Sequence, residues 1–159
     1  MRTLLLSTLL LLVPASTRSQ APASAQAPPS ELQKEITAFN LKLEDATRRM
    51  SNADALALWA EDGVSLLPST SPLVGKPAIT AFFTSVTTQL AGARMDKFEL
   101  HCTPAVGNAT WASEWCDEHQ VVWLPGGKPV FDGRGRMLLI LHKEAKGDWK
   151  ITREMWQPA

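Results

Sequence analysis

The stretch WASEWCDEHQVVW, Trp111 to Trp123, decides how the rest of the chain is read. It reads as one long strand. Side chains on a strand alternate between faces, so it offers two surfaces. One carries Trp111, Ser113, Trp115, Asp117, His119, Val121 and Trp123. The other carries Ala112, Glu114, Cys116, Glu118, Gln120 and Val122. Three indoles are the largest apolar load on either side, so the first face is expected to be buried. Asp117 and His119 would then sit among those rings, an acid and a base in an apolar wall.

Downstream, Pro125 to Pro129 is a hairpin loop, its glycine pair serving as a plain turn. Arg136 to Lys143 is apolar on both sides, with Met137, Leu139 and Leu141 set against Leu138 and Ile140. That pattern predicts a central strand covered on each side. Lys146-Gly147-Asp148 turns into a last strand, Trp149 to Trp156. Upstream, Phe98 to Thr103 is the preceding strand, and Gly107-Asn108 turns the chain into the long one.

Further upstream the period becomes helical. Ser30 caps a helix whose Leu32, Ile36, Phe39, Leu43 and Ala46 form one buried stripe. A shorter helix is expected over Ala53 to Ala60, with Leu56 and Trp59 on one side. Glu61-Asp62-Gly63 is read as a turn, with Asp62 in a turn role, and Val64 to Leu67 as a short strand. Pro77 opens a third helix, Ala78 to Leu90, with Ile79, Phe82, Phe83, Val86 and Leu90 on its buried side. Segregated helices followed by an antiparallel meander make an α+β domain, three helices packed on a curved antiparallel sheet. A curled sheet capped by helices leaves a hollow, and such hollows hold small ligands.

The chain has 159 residues, enough for one domain, and 45% apolar residues suit an ordinary core. The formal charge is zero, with no basic stripe to bind nucleic acid. Arg2 precedes the apolar run Leu4 to Val13, which has signal-peptide length and is too short to span a bilayer. Ala23-Ser24-Ala25 fits a cleavage site. Residues 1–25 are therefore expected to be a signal peptide, 26–30 a disordered leader and 31–157 the domain. The mature protein would be exported, periplasmic or secreted, and free of the membrane. Export permits a disulfide between Cys102 and Cys116. Their spacing suits neighbouring strands, but Cys102 shares a face with Phe98 and Leu100 while Cys116 sits with Glu114 and Glu118. The pairing stays open at this level. No C-x-x-C or His cluster suggests a metal, and no cofactor is implied.

Three passages together resemble the SnoaL-like branch of the nuclear transport factor 2-like superfamily. They are Asp54 to Val64, then Pro72 to Ile79 with its Gly75-Lys76-Pro77-Ala78-Ile79 helix opening, then Gly135-Arg136, Lys143, Gly147 to Ile151 and Glu154-Met155-Trp156. The resemblance implies a cone-shaped fold with a cavity at its wide end, often dimeric through the sheet. It also implies that Glu154 and Trp156 line that cavity. Relatives of this type include isomerases, dehydratases, polyketide cyclases, epoxide hydrolases and proteins that only bind ligands. The chain has no tyrosine, so sites built on a tyrosine hydroxyl are absent. An Asp-Arg-Asp set has no clear match either.

The candidate catalytic residues are Asp117, His119 and Glu154, and the candidate ligand wall is Trp59, Phe82, Trp115 and Trp156. Asp117 beside His119 could do general acid–base work near neutral pH, or form a structural ion pair. Glu154 could act as a second acid or base, or pair with Arg134 or Arg136. His101 and His142 carry no assigned role. The favoured reading is a homodimeric domain that binds a small apolar or aromatic molecule. The alternative is a lyase, isomerase or hydrolase that uses the Asp–His pair.

Overall fold

In the computed structural model, which describes residues 30–127 and 129–159, helix α1 spans Glu31–Arg48. Ser30 caps it by accepting a hydrogen bond from the Gln33 amide. Ile36, Phe39, Leu43 and Ala46 are its buried stripe, as their spacing requires. Helix α2 (Asn52–Ala57) is capped by Ser51, and α3 (Lys76–Gln89) opens with Pro77 in its first turn. The expected signal peptide lies outside the described residues.

Strands β1 (Trp59–Leu66), β2 (Leu73–Val74), β3 (Arg94–Cys102), β4 (Val106–Gly107), β5 (Trp111–Trp123), β6 (Pro129–Lys143) and β7 (Trp149–Pro158) form one sheet. Its order is β2-β1-β7-β6-β5-β3, with β4 on β5. The meander β3-β5-β6-β7 is antiparallel and β6 is central, as expected. The helices pack on one face of this curved, unclosed sheet, so the architecture is the expected α+β cone.

The sheet is mixed, however, because β1 runs parallel to β7. No hairpin joins those two strands, so no short turn forces them to oppose. The second helix also ends before its expected limit, and Trp59 and Ala60 belong to β1. Trp59 is paired with Ile151, whose amide donates to the Leu58 carbonyl at 2.8 Å. The sheet thus takes up backbone groups that a short helix would leave unsatisfied. Glu61 to Gly63, expected as a turn, is an irregular part of β1 where the register shifts. A Cβ at Gly63 would lie 2.7 Å from the Trp59 ring, so the glycine gives that ring its place.

The largest departure concerns β5, whose two faces are the reverse of the expectation. Ala112, Glu114, Cys116, Glu118 and Val122 are buried, while Trp111, Trp115 and Asp117 are exposed. The helix-facing side is filled by Ile36 and Phe39, and Ala112 and Cys116 are the small groups that fit beneath them. Indoles do not fit there. On the outer side Trp111 lies 4.4 Å from the His142 ring, and Arg94 sits 5.5 Å over Trp123. Leu138 and Ile140 face the same way and are only half-buried, so β6 is covered on one side, not both.

The reversal also resolves the cysteines. Cys102 and Cys116 are directly opposed across β3 and β5 and form a disulfide. Both point inward, Cys102 with Phe98 and Cys116 with the two glutamates. The alternation that spoke against the bond rested on the wrong face assignment.

Polar contacts fix α1 over the sheet. Glu35 accepts from Lys143 at 2.7 Å and from the Trp149 indole at 2.9 Å, and these two donors lower its pKa. Glu44 and Gln33 accept from the Leu100 and Ala105 amides, capping backbone donors along β3 and the segment after it. Asn40 donates to Glu114 at 3.1 Å and to the Cys102 sulfur at 3.5 Å. Between the helices and the sheet a cavity opens.

Candidate functional site

The cavity has a volume of about 450 Å³. Leu43, Ala55, Phe82, Phe83 and Val86 line it from the helices, and Trp59, Phe98, Val122, Met137 and Trp156 from the sheet. Into this mostly apolar space project Ser65, Glu118, Gln120 and Glu154.

Glu118 comes from the inner face of β5 and is 5% exposed. Gln120, two residues along the same face, donates a short hydrogen bond to it. Glu154 comes from β7, ringed by protein and reached through the cavity. The hydroxyl of Ser65, its partner in β1, donates to it at 2.7 Å. Burial, reinforced by the charge of Glu118, pushes the Glu154 carboxyl up to about 7 against the Ser65 hydrogen bond. Burial raises Glu118 as well, opposed by Gln120 and by the Trp156 indole. Among the described residues the Trp156 N–H has no hydrogen-bond partner of proper geometry, yet it lies near enough to Glu118 to favour its charge. That ring can lie across β6 because position 135 is glycine, where a Cβ would be 2.4 Å from it.

Two carboxylates that repel each other in an apolar space bind protons strongly. Near neutral pH such a pair supplies both an acid and a base. Holding both ready is what proton transfer to and from carbon or oxygen requires.

Of the residues expected at the site, Glu154, Trp59, Phe82 and Trp156 line the cavity. Asp117, His119 and Trp115 do not, because they occupy the outer face of β5. Asp117 and His119 are not paired with each other either. Asp117 lies 3.5 Å from Arg136, directly across the ladder, and His119 lies 3.0 Å from Asp132. With Asp117 74% exposed and Asp132 63% exposed, both are solvent-screened surface contacts. Glu154 does not pair with Arg134 or Arg136, since its partner is Ser65.

Glu118, Gln120 and Ser65 were not anticipated. A signal for Glu118 was present in the cysteines. Had Cys102, beside Phe98, been required to meet Cys116, the glutamate face of β5 would have been the inner one. Glu114 shares that face but lies outside the cavity lining, beneath α1. Burial pushes it to about 7, with the Asn40 hydrogen bond opposing. Cys102, Glu114 and Cys116 bring potential ligand atoms within 4.8 Å of one another. With the sulfurs joined to each other, neither is a thiolate donor.

Fold and site together define a class: a cone-shaped α+β domain with a carboxylate pair in an apolar cavity. The fold is the nuclear transport factor 2-like fold, as three solved structures illustrate. A ketosteroid isomerase-like protein from Erwinia carotovora atroseptica superposes with a TM-score of 0.68 at 21% identity, over 80% of this chain and 96% of that one. A nuclear transport factor 2-like protein of unknown function from Pseudomonas putida gives 0.66 at 20% identity, over 79% and 85%. A nuclear transport factor 2-like protein with a cystatin-like fold from Novosphingobium aromaticivorans gives 0.62 at 16% identity, over 77% and 79%. No family model and no curated protein matches the sequence.

Proposed function

We propose that the cavity carries out general acid–base chemistry on a small, largely apolar molecule, with Glu118 and Glu154 exchanging the proton. The observation that carries this reading is the pair itself, two inward carboxylates of raised proton affinity sharing one apolar cavity. In its singly protonated form the ionised member accepts a proton from a carbon beside a carbonyl group. The protonated member hydrogen-bonds the carbonyl oxygen or returns a proton to another carbon. Such a step isomerises the substrate or, with a leaving group in place, eliminates it. Ser65 and Gln120 orient the carboxylates. The similarity to a structure described as ketosteroid isomerase-like agrees in direction with this class of reaction.

The test is a screen of unsaturated ketones for double-bond migration, followed by absorbance, and of simple ketones for deuterium uptake, followed by NMR. Glu118→Gln and Glu154→Gln should each lower the rate by about 10²–10⁴-fold. A rate that survives in both variants would end the reading in favour of simple binding.

We further infer a homodimer formed through the outer face of the sheet. Trp115, Leu138, Met155 and Leu66 are ladder partners in succession across β5, β6, β7 and β1, a continuous apolar row. Trp115 is 47% exposed, Leu66 42% and Met155 40%, more apolar surface than a solvent-facing sheet needs. Sedimentation should show a dimer that Leu138→Lys converts to monomer. Export after cleavage near Ala25 is part of the same reading, supported by the apolar N-terminal run and the disulfide. Mass spectrometry of the protein from its host would check it.

A further inference from the structure

The charge inventory of the cavity narrows the substrate class, an inference that rests on the acid–base reading above. Among the described residues, the lining comes from α1, α2, α3, β1, β3, β5, β6, β7 and the loops between them, and two of its side chains titrate. The lining residues of α1, α2 and α3 carry no charge. The same holds for the lining residues of β1, β3 and β6. β5 contributes Glu118 and β7 contributes Glu154. Among the described lining residues none is a lysine, arginine or histidine. A phosphate or carboxylate ligand would therefore meet two like charges in a space of low dielectric, with no counter-charge to receive it.

The walls point the same way. Trp59, Phe82, Phe83, Phe98 and Trp156 line the same cavity with aromatic rings. Ring faces attract cations, and more strongly where water is excluded. We infer that the cavity takes a protonated amine with an apolar body, its ammonium held by the acid pair and its body among the rings.

The amine also divides the work between the carboxylates. Glu118 is supported by the Gln120 amide and favoured by the nearby Trp156 N–H, so it is the better anchored anion and the counter-ion. Glu154, held by the Ser65 hydroxyl, is the member that takes and returns the proton. The bound cation relieves the mutual repulsion of the pair, so amine binding and ionisation of the carboxylates favour each other.

Three probes with one ring system test the assignment: 2-naphthylmethylamine, 2-naphthylmethanol and 2-naphthoate. Titration calorimetry on the full domain at pH 6, 7 and 8 should show the amine binding at least tenfold more tightly than the alcohol at pH 8. That advantage should shrink toward pH 6 as Glu154, pushed up to about 7, takes up its proton, while the amine stays charged throughout. The naphthoate should bind at least tenfold more weakly than the alcohol. In the Glu118→Gln, Glu154→Gln double variant the amine should fall to the level of the alcohol. Naphthoate binding as tightly as the amine, an amine preference surviving in the double variant, a wild-type advantage that ignores pH, or no binding of any probe each overturns the assignment. The wild-type pH series decides the matter even if the double variant does not fold. Loss of the amine preference alongside dyad-dependent turnover of neutral ketones would remove only the substrate class. Turnover that ignores both carboxylates would remove the acid–base reading itself.

Discussion

Glu114 and Glu118 lie on the same face of the same strand, and burial raises the proton affinity of both. One is a candidate catalyst and the other is not. Glu114 is covered by α1, and its Oε1 and the Asn40 Oδ1 are buried without hydrogen-bond partners among the described residues. Glu118 opens on a cavity and shares it with a second carboxylate. Desolvation alone therefore does not mark a functional acid. What separates the two is empty space in which a substrate can reach the carboxylate.

The largest effect should come from the cavity side. Glu118→Gln or Glu154→Gln is expected to reduce kcat/KM by about 10²–10⁴-fold, while Glu114→Gln leaves it within about twofold. Equal losses from Glu114→Gln would erase the distinction. Next in size is the staple beside Glu114. Replacing Cys102 and Cys116 by serine should cost about 2–4 kcal/mol in urea unfolding, because the bridge closes a loop in the unfolded chain.

A smaller effect sharpens the contrast through pH. The native Glu114 carboxyl titrates near 7 and its ordinary value is 4.5, so the native state holds the proton more tightly. That contribution to stability is fully present below about pH 4.5 and is lost as pH rises toward 7. Glu114→Gln should therefore stabilise the protein by about 2 kcal/mol at pH 8 and hardly at all at pH 4.5. Stability curves at the two pH values check it, and a gain independent of pH would mean that the charge is not the cause. The smallest effect belongs to the outer face. Asp117→Asn and His119→Ala should change stability by less than about 0.5 kcal/mol and leave turnover unaltered.

Much of the fold was legible in residue order. The stripe Ile36, Phe39, Leu43 and Ala46 marked α1, and the doubly apolar Arg136 to Lys143 marked the central strand. Glu154 and Trp156 were placed at the cavity by the resemblance of the closing hairpin, and they line it. The acid face of β5 was not legible, because the indoles outweighed the glutamates in a simple estimate of burial. That estimate ignores local depth. Under α1 there is room for Ala112 and Cys116 but not for an indole, and Trp111 and Trp123 find cover from His142 and Arg94 outside. The end of α2 was also misplaced, since pairing of Trp59 with Ile151 links residues far apart in the chain.

By itself, then, the sequence determined the three helices, the main strands of the meander, their order, and the α+β class, because these follow from local periodicity and turn chemistry. Only the tertiary structure decided which face of β5 looks inward, that the two cysteines meet, and that Glu118 and Glu154 share one cavity. Each of those outcomes depends on the space left between elements after packing. That space is set by residues distant in the chain, and no pattern within a single strand records it.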